Sequence, residues 1–334
     1  MRLPWMMKRP PAGEAELWTA PFPEATTEAD ILACFRLLLG RRPNAEEWRG
    51  HRMRAGETLP SVVASYLTSL EFARRGMVVP QSGEIVVAQA QGFIVYTEVE
   101  DAAVGKHVRS DNYERDVTAL FHARLAEGMN VIDIGANIGY FTLLAAKLIG
   151  PRGRVLAVEP NPRNVRLLEA SRRANGFANV TILQAAAGRE IGILGLNVSF
   201  SNGTTAGLPE DLPQMLAAET VPCLPLDSVL DRDTMVDFIK VDVEGAEFNA
   251  LLGAEGIIRR CRPVIVSEFS PSMMPGISQI SGEAYLRWLI GLGYTLAVVE
   301  PDGSLTRTGQ DVGAVMRIYE ARMADHIDIV AEAT

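Results

Sequence analysis

The segment 131–140 places one carboxylate and two glycines where a predicted strand gives way to a helix. Its sequence is V-I-D-I-G-A-N-I-G-Y, so a short apolar run ends at Asp133, and Gly135 and Gly139 bracket a tight turn. Residues 140–149 then place apolar side chains on one helical face. This strand–glycine turn–helix pattern is typical of sites for nucleotide-like ligands. We expect Gly135 to permit the sharp turn and Gly139 to let the helix start approach the ligand.

The ligand of this loop is predicted to carry positive charge. A dinucleotide-binding loop has glycine two residues after its first glycine, where this chain has Asn137. No Lys or Arg lies between Asp133 and Tyr140, and an unpaired carboxylate there would repel a diphosphate. S-adenosylmethionine carries a sulfonium and an ammonium group against one carboxylate. The pattern therefore favours this methyl donor.

A second carboxylate ends the next predicted strand. The β-type run 154–159, R-V-L-A-V-E, ends at Glu159 and is followed by a P-N-P turn and a new helix. An acid at this position can accept hydrogen bonds from both hydroxyls of a ribose. The two segments together predict a donor site more specifically than either does alone.

A third polar cluster interrupts a strand suited to the centre of a sheet. In 238–247, F-I-K-V-D-V-E-G-A-E, Lys240 lies two residues before Asp242, so both point to one face. A buried lysine must be paired. Glu244 and Glu247 follow in the turn and first helical turn, where acids also suit the helix dipole. Because open α/β sheets bind ligands at the carboxyl ends of their strands, we expect this cluster beside the two acids above.

The composition describes an ordinary globular protein with an acidic main part. The chain has 334 residues, 48% hydrophobic and 22% charged, and a net charge of −9. Residues 1–80 carry eleven basic and nine acidic side chains, which leaves 21 basic and 32 acidic ones for the rest. Such an acidic domain argues against nucleic acid as a substrate.

Other bulk features predict a cytoplasmic protein. No apolar run approaches the roughly 20 residues of a membrane span, and the N-terminal sequence lacks a hydrophobic signal core. The three cysteines are isolated, and the four histidines show no metal-ligand spacing. The oligomeric state stays open, a homo-oligomer included.

The chain is predicted to contain two domains. Residues 1–25 are rich in proline and glycine and predict a loose lead-in, followed by a helical module at 26–80 and a main domain at 81–334. The linker is predicted within 77–83. In the main domain, strands alternate with helices, which predicts a mostly parallel sheet covered on both faces. The segment 312–319 is predicted to close the series as a strand.

The helical module resembles a known bacterial one. Helices are predicted at 28–39, 45–55 and 60–70, and capping-box patterns at Thr27 and Asn44 start the first two. The sequence F-R-L-L-L-G-R-R-P, Trp48 and the later S-L-E-F look like the small helical domain appended to bacterial glycosyltransferases and secreted proteins. The resemblance implies a glycan-related setting. A helical cap that only packs on the catalytic domain is the alternative.

The main domain resembles the FkbM family of S-adenosylmethionine-dependent methyltransferases. The resemblance rests on V-I-D-I-G-A-N-I-G-Y-F-T, on I-K-V-D-V-E-G-A-E and on S-E-F after the next strand, and it covers residues 111–268. It implies a class I methyltransferase fold, an α/β Rossmann-like sheet of seven mostly parallel strands with the last one antiparallel. Many members are thought to methylate sugar hydroxyls, and we expect a sugar or glycan hydroxyl as acceptor, although the resemblance by itself implies only the methyl donor.

The resemblance also implies which residues bind the donor. The residues expected to border its methionine half are Asp133, Gly135, Asn137 and Gly139. Glu159 should hold the ribose, and Gln184 marks the end of the third strand, where adenine is recognised. Tyr113 and Glu114 are expected at the amino-acid end of the donor, with Lys240 in the same site.

Methyl transfer to a hydroxyl needs a base that removes its proton. Asp242 and Glu268 are the first candidates because each ends a central strand, and Glu244 is the third; His107 is an outsider. Acids at adjacent strand tips could also hold Mg²⁺, which we do not favour. The small-residue loop 199–207 predicts acceptor contacts, with Asn202 and Thr204 assigned to them.

Three other functions stay open at this point. The same chemistry could act on a small natural product or on a nitrogen. A protein of another class, an NAD-dependent oxidoreductase, would also use a strand–glycine loop–helix. The third is a non-enzymatic role in glycan assembly.

Overall fold

The computed structural model describes residues 24–69, 71–72, 84–110, 112–199 and 201–334. The chain divides into two compact units, Met1–Gln81 and Ser82–Thr334. The predicted linker 77–83 and nearly all of the predicted lead-in 1–25 lie outside the described residues.

The described part of the first unit includes three short helices, with a 3-10 turn at Arg52–Arg54 after the second. The helices are α1 (Glu28–Leu37), α2 (Ala45–His51) and α3 (Leu59–Leu67). Both predicted capping boxes are present, since the Thr27 and Asn44 side chains accept from the backbone three residues on. The apolar faces of the helices meet around Ile31, Phe35 and Tyr66, which belong to the small core of this unit.

The second unit alternates strands and helices as predicted. Its strands are β1 (Ile85–Ala90), β2 (Phe93–Glu98), β3 (Asn130–Ile134), β4 (Arg154–Val158), β5 (Val180–Leu183), β6 (Ala186–Ala187), β7 (Gly192–Ser199), β8 (Asn202–Ala206), β9 (Glu219–Leu224), β10 (Phe238–Val241), β11 (Val264–Phe269), β12 (Tyr294–Val299), β13 (Leu305–Gly309) and β14 (Ile327–Ala333). Its helices are α4 (Gly105–Arg109), α5 (Arg115–Arg124), α6 (Tyr140–Ile149), α7 (Pro162–Ala174), α8 (Leu212–Ala217), α9 (Glu247–Leu252), α10 (Glu255–Cys261), α11 (Met274–Ile277), α12 (Gly282–Gly291) and α13 (Val312–Arg322).

Among the described residues the large sheet has eight strands in the order β13-β12-β14-β11-β10-β3-β4-β5. The pairings from β11 through β10, β3 and β4 to β5 are parallel, whereas β14 runs antiparallel between β11 and β12. The predicted α/β fold with a late antiparallel strand is confirmed. The predicted count of seven strands is one short, because β13 adds a hairpin strand at the edge beside β12.

The predicted closing strand at 312–319 is wrong, because this segment belongs to helix α13. Val315 is fully buried, and Val312, Met316 and Tyr319 pack against the same core cluster. This spacing of three and four residues is helical rather than alternating. The antiparallel strand is instead β14, which follows the helix.

Both faces of the large sheet are buried, as parallel strands require. Alternate strand residues point to opposite faces. Val131, Phe238 and Val266 lie in one core cluster, whereas Ile132 and Ile239 lie in the other. Because the side chains at Asp133 and Lys240 follow the first set in register, charged groups enter an otherwise apolar layer.

The segment between β5 and β10, expected to be irregular, contains a small sheet in the order β6-β9-β7-β8. Strands β7 and β8 form an antiparallel hairpin in which Ser199 pairs with Asn202. This hairpin carries the small-residue loop that the sequence assigns to the acceptor.

Candidate functional site

A cavity of about 280 Å³ lies at the carboxyl ends of the central strands. Its walls come from the segments that follow β3, β4, β5 and β10, from Glu268 near the end of β11, from the β7–β8 hairpin and from the loop before β14. We call the part lined by the loops after β3 and β4 the first half. The second half is the part lined by the loop after β10, by Glu268 and by the loop before β14. Parallel strands place their carboxyl ends at one edge, which explains why remote segments meet here.

Asp133 is the deepest acid of the first half and is 1% exposed. Its Oδ2 accepts a hydrogen bond from the Thr142 hydroxyl at 2.5 Å. Its Oδ1 is buried without a hydrogen-bond partner among the described residues. Desolvation raises the pKa of Asp133 even though the positive charge of Lys240 opposes the shift. The carboxylate therefore lines the cavity with an unused acceptor atom.

The two glycines of the loop serve packing between segments. Gly135 has φ +83°, and a Cβ there would lie 1.8 Å from the Asp242 carbonyl oxygen. Gly139 has φ +96°, and a Cβ there would lie 2.2 Å from Leu168 Cδ1. Gly139 is not among the residues that line the cavity. The expected reason for Gly139 is thus corrected: its missing side chain lets two helices pack, whereas Gly135 lets the two loops meet.

Glu159 is held by the backbone of its neighbours. Its Oε2 accepts the Asn137 N–H at 2.8 Å, and its Oε1 accepts the Asn161 N–H at 2.8 Å. Asn137 takes up φ +50°, a conformation that asparagine tolerates better than most residues. Desolvation raises the pKa of Glu159 to about 7 against these hydrogen bonds. Glu159 and Asn137 both line the cavity, as the sequence analysis expected.

Tyr113 and Glu114 line the cavity from the start of α5. The Tyr113 ring packs edge-on against Tyr140, with centroids 5.2 Å apart. Glu114 lies in the left-handed region, with φ +36°. Desolvation raises the pKa of Glu114 to about 7, although Lys240 pulls it down.

Lys240 is buried between carboxylates. It lies beside Asp133 in the strand register, and its Nζ donates to Asp242 Oδ2 at 2.8 Å. The ammonium also lies 4.7 Å from the centre of the Phe141 ring, in a cation–π contact. Desolvation lowers the pKa of Lys240, but the attraction of Asp242, Glu114 and Asp133 outweighs it and raises the pKa overall. The expectation that a buried lysine must be paired is met.

Asp242 and Glu268 form a coupled carboxyl pair at adjacent strand tips. Desolvation raises the pKa of Asp242, but Lys240 and a hydrogen bond from Glu268 outweigh it, so the pKa lies below its usual value. Desolvation and the negative charge of Asp242 raise the pKa of Glu268 well above its usual range. Ser270 donates to Glu268 Oε1 at 2.7 Å. The two carboxyls therefore titrate as a coupled pair, in which the pKa of Asp242 is lowered and that of Glu268 is raised.

The turn after β10 is fixed by a buried acid. Glu247 is fully buried, and its Oε1 accepts the N–H groups of Val243 and Gly245 at 3.1 and 3.0 Å. Desolvation raises its pKa to about 7. Between these donors, Glu244 takes up φ +54° and lines the cavity. The helix-dipole reading of Glu247 is therefore incomplete, because the side chain shapes the turn that presents Glu244.

Asn202 connects the two halves of the cavity. Its Oδ1 accepts from Asn137 Nδ2 at 3.2 Å, and its own Nδ2 donates to Glu244 Oε1 at 3.2 Å. The neighbouring Ser201 carbonyl accepts from Asn164 Nδ2 at 2.7 Å. The hairpin tip is thus tied to the loops after β3 and β10 and to helix α7.

Besides Gly139, three residues named by the sequence analysis do not line the cavity. Gln184 is exposed just after β5, and its neighbours Ala185 and Ala186 line the cavity instead. Thr204 is also outside the lining, although Thr205 is within it. His107 is exposed on α4, and its direct neighbours do not line the cavity either.

The sequence analysis missed Asp325 and His326, which line the second half. His326 Nδ1 lies 2.9 Å from Asp325 Oδ1. It also missed Asp328, which pairs with Glu268 across β14 and β11 and whose pKa desolvation raises to about 8. The sequence signal for these residues is the D-H-I-D-I run at 325–329, which leads into the last strand. The prediction instead placed the last strand at 312–319, so this run was not assigned to the sheet.

In the part of the chain that the structure describes, no group of three or more His, Cys, Asp or Glu side chains is arranged to hold a metal ion. Within that same part, every helix is too short or too polar to cross a membrane. The cytoplasmic location stays a prediction.

The charge of the cavity fits the expected methyl donor. Its lining contains seven carboxyl side chains, namely Glu114, Asp133, Glu159, Asp242, Glu244, Glu268 and Asp325. Among the described residues of that lining, Lys240 is the one lysine or arginine. A ligand with an ammonium and a sulfonium group would offset this excess, and Asp133 Oδ1 is free to accept from the ammonium.

Residues 133–296 match the model of the methyltransferase FkbM domain. Methyltransferase sdnD of Sordaria araneosa is 25% identical over 232 residues, which cover 59% of this chain and 85% of that protein. A protein-L-isoaspartate O-methyltransferase of Methanococcoides burtonii is 35% identical over 60 residues, 18% of this chain and 30% of that protein.

Among solved structures, methyltransferase FkbM from Methylobacillus flagellatus KT is 17% identical, with a TM-score of 0.40. The match covers 91% of this chain and 60% of that one. The chain therefore spans less than two thirds of the length of this protein and of the isoaspartate methyltransferase.

Proposed function

Residues 133–296 form an FkbM-type, S-adenosylmethionine-dependent methyltransferase domain, and from this premise we propose that the chain methylates a hydroxyl group of a sugar or glycan. The observation that carries the donor part is the buried, unpartnered Oδ1 of Asp133 in a cavity with seven carboxyl groups and one lysine. The polar acceptor part rests on the amide and hydroxyl side chains of the β7–β8 hairpin. The helical module at 26–80 keeps its proposed glycan-related setting.

Residues of the first half would hold the donor. Asp133 would accept from its ammonium group, and Glu159 from the ribose hydroxyls. Asn137, with Tyr113 and Glu114, would border its methionine half. The donor, when bound, supplies a methyl group on a positively charged sulfur.

Residues of the second half would prepare the acceptor. The coupled pair of Asp242 and Glu268 takes the hydroxyl proton while the acceptor oxygen bonds to the methyl carbon and the carbon–sulfur bond breaks, leaving its electron pair on sulfur. The pair can take that proton only from its partly ionised state. Burial between protein loops excludes water from the reacting atoms.

A second candidate function is the same transfer to a small natural product or to a nitrogen. The cavity volume of about 280 Å³ favours a small acceptor over a long polymer if the whole acceptor must fit inside the cavity. The oxidoreductase alternative is less favoured, since the carboxyl excess would repel a pyrophosphate.

The donor assignment is tested by calorimetry with S-adenosylmethionine and, separately, with NAD. We expect S-adenosylmethionine to bind and NAD not to bind. Asp133→Asn removes the carboxylate proposed to accept from the donor's ammonium group, so it should weaken S-adenosylmethionine binding at least tenfold, or about 1.4 kcal/mol. Asp233→Asn, an exposed carboxylate outside the cavity lining, is the matched control and should bind normally. Equal affinity for NAD would refute the proposal. Methyl transfer to sugars is then followed by mass spectrometry with purified donor.

A further inference from the structure

Among the described residues, four buried side-chain atoms have no hydrogen-bond partner. They are Asp133 Oδ1, Asn161 Nδ2, Ser201 Oγ and Glu247 Oε2. Buried polar atoms without partners are rare in folded proteins, so each one needs a reason. Asn161 and Glu247 are outside the cavity lining, whereas Asp133 and Ser201 line it. Since Asp133 Oδ1 is assigned to the ammonium group of the donor, the Ser201 hydroxyl is the cavity-lining atom that still lacks a role.

Ser201 lies at the tip of the β7–β8 hairpin and is 6% exposed. Its carbonyl oxygen accepts a hydrogen bond from Asn164 Nδ2 at 2.7 Å. The same nitrogen also donates to Glu159 Oε1 at 3.4 Å. Ser201 and Glu159 are therefore held by one amide group, in the part of the cavity where the ribose of the donor is proposed to bind.

A second asparagine fixes the hairpin tip from the loop after β3. Asn137 Nδ2 donates to Asn202 Oδ1 at 3.2 Å, and the Asn137 N–H donates to Glu159 Oε2 at 2.8 Å. Each of the two asparagines thus bonds both to the hairpin tip and to Glu159. These contacts set the position of Ser201 relative to the carboxylate.

The chemistry of a ribose requires more than the carboxylate can provide. A ribose hydroxyl group both donates and accepts hydrogen bonds, whereas an ionised carboxylate only accepts them. Glu159 can therefore take the hydrogen of a ribose hydroxyl but cannot donate to its oxygen. A serine hydroxyl can make that second bond. Ser201 supplies such a hydroxyl near Glu159, buried and without a partner among the described residues.

We propose that Ser201 binds the donor: its hydroxyl donates to a ribose oxygen of S-adenosylmethionine whose own hydrogen is donated to Glu159. This inference rests on the proposed donor site. It divides the segment 199–207, which the sequence analysis assigned to the acceptor as a whole. Ser201 then contacts the donor, whereas Asn202 connects the hairpin to Glu244 in the second half.

Calorimetry with the full chain tests this contact without turnover. The ligand is S-adenosylhomocysteine, the donor without its methyl group, together with its analogues that lack either the 2′ or the 3′ hydroxyl group. Ser201→Ala should weaken binding of the parent compound about tenfold, because a ribose oxygen loses its hydrogen-bond donor. With the analogue that lacks the contacted hydroxyl, the same substitution should change the affinity less than about twofold, because the contact is already missing.

Two controls separate this contact from a structural role of Ser201. Without ligand, Ser201→Ala should leave the free energy of unfolding unchanged or raise it, because the hydroxyl has no partner among the described residues to lose. Thr220→Ala removes an exposed hydroxyl from β9 of the same small sheet, outside the cavity lining. This variant should bind the parent compound and both analogues normally.

The outcomes separate this inference from the donor site beneath it. If the chain binds neither the parent compound nor the analogues, the donor proposal fails, and this inference fails with it. If they bind but Ser201→Ala keeps full affinity, loses the same factor with all of them, or unfolds more easily without ligand, only the Ser201 contact is overturned. A loss confined to the compounds that keep one particular hydroxyl supports it.

Discussion

The two halves of the cavity are built in different ways. In the first half, Asp133 and Glu159 each end a strand, and Glu159 is held by main-chain N–H groups within a few residues or on the adjacent loop. In the second half, Asp242 and Glu268 hold each other, and residues from the loop before β14 complete the wall. The first half is thus defined by short sequence motifs, the second by the packing of remote segments.

This difference separates geometry that is local from geometry that is assembled. A motif can fix a strand end, a turn and a helix start within ten residues. An acid pair on two strands depends on their register and on whatever strand lies beside them. We therefore expect changes in the first half to act on donor binding, and changes in the second half to act on turnover and acceptor binding.

The contact between the halves should be the most sensitive point. Gly135→Ala forces a Cβ to 1.8 Å from the Asp242 carbonyl at φ +83°. We expect it to prevent folding or to lower the free energy of unfolding by more than about 4 kcal/mol, measured by urea denaturation. Gly128→Ala is the control, since Gly128 has φ +90° with no atom within 4 Å of the added Cβ. Equal losses in both variants would show that the loops do not need this close contact.

Buried carboxyls in both halves should make stability fall as pH rises. Glu159 and Glu247 have folded-state pKa values near 7, raised by desolvation, whereas unfolded carboxyls titrate near 4.5. The folded chain therefore binds more protons between those values, and the stability present below pH 4.5 is lost as pH rises to 7. We expect a loss of about 5 kcal/mol between pH 5 and pH 8, about half from each group, measured by denaturation without ligand.

Glu159→Gln, in the loop after β4, and Glu247→Gln, at the start of α9, should each reduce the dependence of the free energy of unfolding on pH. Addition of S-adenosylmethionine should restore stability at pH 8 if the cationic donor binds beside Glu159. If the free energy of unfolding instead rises from pH 5 to pH 8, the raised pKa values of these two carboxyls are wrong.

Donor affinity should distinguish the halves directly. Glu159→Ala removes the proposed partner of the ribose and should weaken S-adenosylmethionine binding by about 1–3 kcal/mol in calorimetry. Glu244→Ala, in the second half, should change that affinity less than twofold. If both variants lose affinity equally, the division of the cavity into donor and acceptor halves is wrong.

The smallest effect is expected at the link between the halves. Asn202→Ala removes the side-chain hydrogen bonds to Asn137 and Glu244. Because these groups are partly exposed, we expect the two bonds together to contribute about 1 kcal/mol. We expect the KM for the acceptor to rise about fivefold, with donor affinity nearly intact, in steady-state kinetics. Thr204→Ala is the contrast, because its side chain lies outside the cavity lining. A larger effect at Thr204 would support its original assignment to the acceptor.

The sequence predicted much of the first half because its signals are local. The glycine loop, apart from Gly139, and the acid after β4 line the first half, and the lysine–aspartate pair predicted on β10 lines the second half. Gln184 was placed by analogy with a strand end, yet the cavity is reached there by the small residues after it. Prediction failed at 312–319, since a short apolar segment fits a strand and a helix until its partners are known.

The order of residues alone determined that acids end the central strands and that two helices start with capping boxes, because these features depend on neighbours along the chain. Only the tertiary structure decided that burial and Asp242 raise the pKa of Glu268, that Gly135 meets the Asp242 carbonyl, and that Asp325 and His326 join the cavity. Each of these facts depends on burial and on distances between segments far apart in sequence. Such quantities arise when the antiparallel strand inserts between its neighbours and brings its preceding loop to the strand tips.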